Sequence, residues 1–340
     1  MKGDLLKQVT IKAPGGLDNL VLKDVAAPAA PGAGEITVRL HASSLNYHDY
    51  RVCAVEGALP DGRIPMADGA GVIEAIGAGV DGFKVGEPVV SCFFPDWQTG
   101  DDRPCDFSTT PGDGRDGYAR EAVTLPATWF THAPAGWSHA EAATITTAGL
   151  TAWRALVVDA GIKAGDTVAV LGTGGVSIYA LQLAKAMGAR VIATSSSAAK
   201  LERLRALGAD HVINYRTTPE WGAEMRALTD GRGVDIVVEV GGPATLAQSI
   251  VAGRPGAHLA LIGVLTGRSG EIPTAALMAR QQRLQGLIVG SRAHQIDFVR
   301  ALETLSLRPV IDRSFALADL AEAFRYQESG AHFGKICVTM

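Results

Sequence analysis

Apolar and polar positions change their spacing partway along the chain. Over about the first 125 residues, short alternating or apolar runs such as EITVRLHASSL, GAGVIEAI and EPVVSCFF are punctuated by Pro and Gly, a pattern that predicts β-rich structure. From about 165 to 290, runs of four to six apolar residues alternate with helical-period segments of about 10 to 14 residues. That alternation predicts repeated βαβ units around a parallel sheet. In the clearest unit, DTVAVLG is a buried strand, GTGG a turn, and VSIYALQLAKAMG a helix closed by Gly188. ARVIATS, AAKLERLRALG and ADHVINY continue the alternation, and GVDIVVEVG, AHLALIGV and LQGLIVGS supply three more strands. Six parallel strands with crossover helices make a doubly wound dinucleotide-binding domain. The last 50 residues predict helices around 294 to 305 and 316 to 329, then a strand, KICVTM. A terminal strand needs a sheet to join, so this segment is expected to return to the N-terminal region.

Between the first strand and helix of the alternating region stands Gly172-Thr173-Gly174-Gly175-Val176-Ser177, whose first five positions fit G-x-G-x-x-G and whose sixth is Ser. Glycine lets the backbone turn sharply and lets a pyrophosphate approach the amides at a helix N-terminus, whose dipole favours negative charge. Ser is small enough to keep helix and strand close. Gly172, Gly174, Gly175 and Val176 are therefore the candidate phosphate cradle. At the end of the second strand, where an Asp or Glu would bind ribose hydroxyls, the chain has Thr194-Ser195-Ser196-Ser197. Without that carboxylate a 2′-phosphate is not repelled, and Lys200, about one turn into the next helix, is placed to neutralise it. Ser195, Ser196 and Lys200 thus favour NADP(H) over NAD(H). The alternative is that the serines only cap a helix and Lys200 is a solvated helix residue.

Composition narrows the class. The chain has 340 residues, 47% hydrophobic and 19% charged, which suits a globular protein of two domains. Its 40 glycines fall at turns and strand ends rather than in a repeat. Lys plus Arg number 31 against 35 Asp plus Glu, a net charge of −4 with no run of like charge, so no nucleic-acid partner is expected. The start, MKGDLLKQVTIKAPGG, lacks the apolar core of a secretory signal, and no stretch reaches about 18 apolar residues. The expectation is a cytoplasmic protein with no membrane partner. Cys53, Cys92, Cys105 and Cys337 are scattered without C-x-x-C spacing, which argues against a disulfide framework or a zinc ribbon.

Together the glycine-rich turn, TAGLTAW at 147 to 153, MADGAGVIEAIGAGV at 66 to 80 and HFGKICV at 332 to 338 resemble the medium-chain dehydrogenase/reductase superfamily. The resemblance covers essentially the whole chain and is closest to the branch with quinone oxidoreductases and zinc-independent enone reductases. It implies an α/β protein with a GroES-like β-rich catalytic domain at 1–127 and 292–340 and a doubly wound Rossmann NADP(H)-binding domain at 128–291. By the same resemblance, Thr147 and Thr151 lie near the nicotinamide, Tyr215 contacts the adenosine phosphate, and Gly263, Val264, Val289 and Gly290 belong to loops closing over the cofactor. Lys335 resembles a further phosphate contact. Gly263 and Gly290 also end strands, which alone would account for them.

In the zinc alcohol dehydrogenases of this superfamily, three metal ligands occupy positions that here resemble Asn46, Ala67 and Thr147. Amide, methyl and hydroxyl side chains lack the thiolate or imidazole that zinc selects. The segment resembling the structural zinc lobe, FFPDWQTGDDRPCDFSTTPGDGRDGY, holds only Cys105. No metal is expected. His41, His48, His132 and His139 do not have ligand-pair spacing on one helix face.

Without zinc to polarise a carbonyl, hydride transfer requires a hydrogen bond, a general acid, or an acceptor that needs little help, such as a quinone or an α,β-unsaturated carbonyl. Tyr47 and His48, on the motif that lines the substrate cleft in this superfamily, are the candidate proton donors or oxyanion partners, with Asn46 as an orienting amide. Tyr47 in the core and His48 as a satisfied surface imidazole is the alternative, and Asp49 is read as a structural partner for a nearby donor. The Asp-, Pro- and Gly-rich loop from Phe93 to Gly117 departs from the quinone reductase pattern, and Trp97 either lines the pocket or anchors that loop. The expected function is zinc-independent, NADPH-dependent reduction of a small carbonyl or quinone. An alcohol dehydrogenase acting on alcohols or aldehydes, and an NADPH-binding module without chemistry, are the alternatives. RLQGLIVGS at the sheet edge makes a homodimer the default.

Overall fold

The computed structural model describes residues 5–100 and 107–340 and divides them into two compact units. The first comprises residues up to Leu150 together with Val289–Thr304 and Ile311–Met340; the second comprises Thr151–Ile288 and Leu305–Val310. Residues 128–150, expected from sequence to open the dinucleotide-binding domain, pack in the first unit.

In the first unit, β1 (Leu6–Ile11) and β2 (Leu20–Val25) form an antiparallel pair. The larger sheet begins with β3 (Glu35–Ser44), β4 (Ala70–Ile76), β5 (Pro88–Ser91), β6 (Ala122–Pro126) and β7 (Phe130–His132). Between β3 and β4 stands α1 (Tyr47–Ala54). After β7, α2 (His139–Ala143) starts at Ser138, whose hydroxyl accepts from the Glu141 amide while the Glu141 carboxylate accepts from the Ser138 amide. This capping box satisfies two amides that a helix start leaves unpaired. A wider, π-helical turn (Ile145–Gly149) leads into α3 (Leu150–Trp153).

The second unit alternates strand and helix as the sequence periodicity predicts: β8 (Thr167–Leu171), α4 (Gly175–Ala186), β9 (Arg190–Ser195), α5 (Ala198–Ala206), β10 (His211–Asn214), α6 (Trp221–Ala227), β11 (Val234–Glu239), α7 (Pro243–Ala252), β12 (Gly253–Leu261), α8 (Thr274–Ala279) and β13 (Arg283–Gly286). The strands run parallel in the order β10-β9-β8-β11-β12-β13. The order reverses between β8 and β11, which defines a doubly wound sheet and places ligand-binding loops beyond the strand C-termini. Strands β8 and β11 are buried at every residue, as central strands covered on both faces must be. Ala169, Ile192, Val237, Ile250 and Leu259 make much of this core. The sixth strand is shorter than its apolar run suggested: β13 ends at Gly286, and Leu287 turns inward.

The chain then adds α9 (Arg292–Thr304), β14 (Ile311–Ala316), α10 (Leu320–Glu328) and β15 (Lys335–Thr339) to the first unit. Its seven-stranded sheet has the order β14-β15-β3-β4-β5-β7, with β6 also paired to β3. The terminal strand finds its partner in β3, Cys337 lying opposite Ser44. That pairing brings Lys335 beside the start of α1. Among the described residues, no helix is long and apolar enough to cross a membrane.

Candidate active site

In the second unit the turn from β8 to α4 leaves a helix start open. Strand β8 delivers the chain to Gly172, whose φ of 73° lies in the left-handed region and whose amide donates to the Thr194 carbonyl. Gly174 is the N-cap of α4, and no side chain caps this helix. A Cβ built on Gly172 or on Gly174 meets no atom within 4 Å. The helix start is thus an open cradle of amides with no acidic residue in its first turn, which suits an anionic pyrophosphate. Ser177, the departure from the third glycine, is buried and donates to the Leu171 carbonyl at 2.6 Å. A small hydroxyl therefore ties helix to strand. Gly175 and Val176 form the first turn of α4.

At the ends of β9 and β10, Ser195 is buried and its hydroxyl accepts from the Ser197 amide, while Ser197 caps α5 by accepting from the Lys200 amide. Lys200 is the third residue of α5. Tyr215 is 42% exposed and its amide donates to the Ser195 carbonyl, so Ser195, Ser196, Lys200 and Tyr215 gather at one strand end. Arg216, exposed beside Tyr215, adds a cation that sequence reasoning missed. Its signal was simply adjacency to Tyr215.

Gly263 has a packing explanation: its added Cβ would lie 1.8 Å from the Val240 carbonyl oxygen. Val264 is exposed. Buried Glu239, at the end of β11, accepts from the amides of Gly241 and Gly242 and the hydroxyls of Thr245 and Ser249. Thr151, on α3, is buried.

The first unit holds a buried polar cluster at the start of α1. Asn46 is the N-cap, and its amide nitrogen Nδ2 donates to Asp49 Oδ2 at 3.0 Å. Asp49 also accepts from the backbone amides of Asn46 and Ala67, each at 2.9 Å. Asp68 accepts from the Ser44 hydroxyl at 2.5 Å and the Thr147 hydroxyl at 2.6 Å. Lys335, 3% exposed, donates from Nζ to the Leu45 carbonyl and to Asn46 Oδ1, both at 2.6 Å, and stands 3.7 Å from Asp68 Oδ2. Burial together with the Asp68 charge pushes Asp49 up to about 6. Burial also raises Asp68, against the opposing pull of Lys335.

Lys335 corrects a sequence expectation. Read as a phosphate contact, its ammonium is instead enclosed, with partners on Leu45, Asn46 and Asp68. Sequence reasoning left Asp68 unread beside Ala67, although a carboxylate in an otherwise apolar MADGAG segment was the available signal. Met66, just before it, adopts φ 79°, a left-handed conformation that costs a non-glycine residue about 1–3 kcal/mol.

His48 lies on the first turn of α1. Its Nε2 bonds Asp113 Oδ2 at 3.0 Å, while its ring stacks on Phe107 and meets Phe93 edge-on. Burial disfavours the imidazolium, but the hydrogen bond and charge of Asp113, with Asp49 and Asp68, outweigh it and raise its proton affinity. Tyr47 is 41% exposed, outside the core. Trp97 is buried, donates from its indole to the Gly100 carbonyl and packs on Phe94 and His294, so it anchors its loop. Val289 adopts φ 48°, and Gly290 follows it, close to Leu150 and His294.

The remaining early histidines serve elsewhere: His41 stacks on His139, and His132 bonds the Gly82 carbonyl. Cys105 lies outside the described residues. Among the described residues no group of three or more His, Cys, Asp or Glu side chains has a metal-holding arrangement.

Residues 32–135 match the model for the alcohol dehydrogenase GroES-like domain and residues 175–306 that for zinc-binding dehydrogenase. A zinc-type alcohol dehydrogenase-like protein of Schizosaccharomyces pombe is 40% identical over 94% of this chain and 95% of its own length. A crystal structure of a candidate alcohol dehydrogenase from Sinorhizobium meliloti 1021 superposes with a TM-score of 0.92 at 40% identity, covering all of both chains. A crystal structure of an NAD-dependent alcohol dehydrogenase gives 0.87 at 35% identity, covering 98% of this chain and 99% of that one. The matched descriptions include zinc, but the residues here do not fit it. Asn46 is engaged at both ends of its amide, Ala67 offers a methyl, Thr147 donates to Asp68, and the Lys335 ammonium is already seated against Asn46.

Proposed function

The chain belongs to the medium-chain dehydrogenase/reductase superfamily, with a GroES-like domain and a Rossmann domain, and on that premise we propose a zinc-independent, NADPH-dependent reductase of quinones or α,β-unsaturated carbonyls. The observation that carries this reading is the ammonium of Lys335, bonded to Asn46 where the superfamily's zinc enzymes resemble a ligand position. A second cation beside it is electrostatically disfavoured, so the acceptor must be one that tolerates reduction without a Lewis acid.

A bound nicotinamide dinucleotide supplies the hydride. Gly172, Gly174, Gly175 and Val176 would hold its pyrophosphate over the uncapped start of α4. Ser195, Ser196, Lys200 and Tyr215 would hold the adenosine end, and the cationic Lys200 beside uncharged serines supports NADP(H) over NAD(H). Thr147 and Thr151 are proposed to lie near the nicotinamide, and Gly263, Val264, Val289 and Gly290 to belong to loops over the cofactor. His48 and Tyr47 are the proposed proton donors, and Asn46 holds the start of α1 in register with the buried cluster.

The names of the S. meliloti and NAD-dependent relatives favour a second reading, interconversion of alcohols and aldehydes. The same residues serve either direction, since a group that donates a proton in reduction accepts one in oxidation. Consumption of NADPH against a quinone, 2-cyclohexenone, an aromatic aldehyde and a simple ketone, with NADH as comparison, separates the two. Preference for the first pair supports the first reading; turnover confined to the aldehyde or to alcohol oxidation replaces it with the second.

Strand β13 is the edge of its sheet and largely exposed, and Met278 on α8 is 75% exposed. Both support a homodimer. Light scattering is expected to give twice the chain mass at micromolar concentration; a monomer contradicts it.

A further inference from the structure

The loop set apart by sequence as a departure from the quinone reductase pattern carries Asp113 to His48. These residues are 65 positions apart, yet Nε2 and Oδ2 are 3.0 Å apart and both side chains are about three-quarters buried. Residues 110–118 of this loop are held tightly. The Gly112 amide donates to the Arg115 carbonyl and the Asp113 amide to the Thr110 carbonyl. Gly117 and Tyr118 donate to Ile64 and Met66, fastening the loop to the segment that leads into Asp68. A Cβ on Gly112 would lie 2.6 Å from the Met66 amide nitrogen, and one on Gly114 would lie 2.0 Å from the Ser108 carbonyl oxygen. Asp113 is thus fixed in place by backbone contacts that leave no room for side chains.

The carboxylate accepts, so Nε2 must carry a proton, and the other ring nitrogen is the one whose proton comes and goes. Nδ1 is buried and has no hydrogen-bond partner among the described residues. Phe107 stacked on the ring and Phe93 at its edge restrain rotation about the side chain. We propose that Asp113 is a positioning residue that fixes the tautomer of His48 and makes Nδ1 its proton-exchanging atom. This rests on the reading of His48 as proton donor. In the reducing direction the Nδ1–H bond breaks and an O–H or C–H bond forms on the hydride-reduced substrate. The electron pair stays on Nδ1, and Nε2 keeps its proton on Asp113, leaving a neutral imidazole. Among the described residues the charged groups acting on the ring are Asp113 from the loop, Asp49 from its own helix and Asp68 from the strand-leading segment.

The test combines nitrogen-15 NMR of the His48 ring with steady-state kinetics on 2-cyclohexenone and NADPH, in wild type, Asp113→Asn and His48→Gln. In wild type the neutral ring is expected to carry its proton on Nε2. Asp113→Asn is expected to lower the proton affinity of His48 at least about tenfold, to move the high-pH limb of the kcat profile to lower pH with it, and to lower kcat about ten- to a hundredfold with KM within about twofold. An Nδ1–H tautomer in wild type overturns the proposal, as does an Asp113→Asn protein with unchanged proton affinity. His48→Gln with full kcat instead overturns the proton-donor reading itself. Loss of kcat in His48→Gln with wild-type behaviour in Asp113→Asn leaves that reading standing and removes Asp113 from it. The NMR arm decides the tautomer even where this enone is not turned over.

Discussion

Lys335 donates to Oδ1 of Asn46 across 2.6 Å, joining the last strand of the chain to the first helix. Both side chains are buried. The contact closes a network in which Asn46 donates to Asp49 and Lys335 faces Asp68. The Lys335 ammonium therefore faces a region containing two buried carboxylates, and removing it takes away a counter-charge fixed among them.

Lys335→Met should accordingly destabilise the protein by about 3–5 kcal/mol, the cost of breaking a buried pair. Urea unfolding measures it. Asp68→Asn combined with Lys335→Met should recover part of the loss, because the uncompensated carboxylate is gone. Equal stabilities of Lys335→Met and wild type would show that the pair contributes nothing.

Two glycines of the second unit should respond in opposite ways. Gly174 has open space where a Cβ would stand, so Gly174→Val should leave the melting temperature nearly unchanged but raise the Kd for the dinucleotide at least about tenfold, about 1.4 kcal/mol. Gly263 faces the Val240 carbonyl at 1.8 Å, so Gly263→Val should lower stability with or without cofactor. Calorimetric binding and thermal melts on both variants distinguish a cradle from a packing site.

Much of the second unit was legible in sequence because its information is local. Apolar runs such as TVAVL and VDIVVE mark central strands, and the glycines of the turn from β8 to α4 sit between strand and helix in nearby residues. The cluster of the first unit depends on distant meetings. Lys335 reaches Leu45 and Asn46 only because β15 pairs with β3, and Asp113 reaches His48 only because its loop is fastened to Ile64 and Met66. No periodicity encodes such meetings, so the sequence pairs Lys335 with a phosphate only through a resemblance and carries no sign of the places of Asp68 and Asp113. Residues 128–150 pack in the first unit through similarly distant partners, α2 resting on β3, β4 and β5.

Cofactor choice gives a further prediction. Lys200→Glu and Arg216→Glu should each raise KM for NADPH about tenfold while changing that for NADH less, since only the former carries a 2′-phosphate for these cations. Equal losses with both cofactors would place the two residues outside the ribose phosphate pocket.

Stability should also depend on pH through His48 and Asp49. His48 binds its proton more tightly when folded, so its contribution is full below the unfolded value of about 6.5 and is lost as pH rises through the higher folded value. His48→Phe should flatten this decline in unfolding free energy. Asp49, raised to about 6, holds a proton in the folded state that the unfolded chain has released above about pH 4. Stability should therefore also fall as pH rises from about 4 to 6, and Asp68→Asn, by removing the neighbouring charge, should lessen that fall.

With the Lys335 ammonium seated against Asn46 and facing Asp68, the cluster should hold no catalytic zinc. The most direct measurement is the metal content of chelator-dialysed protein alongside its NADPH-dependent turnover of a quinone and of 2-cyclohexenone, before and after zinc is added back. Substoichiometric zinc, undiminished turnover after dialysis and no stimulation by added metal are expected. One tightly held zinc per chain, or activity lost on dialysis and restored by zinc, would contradict that expectation.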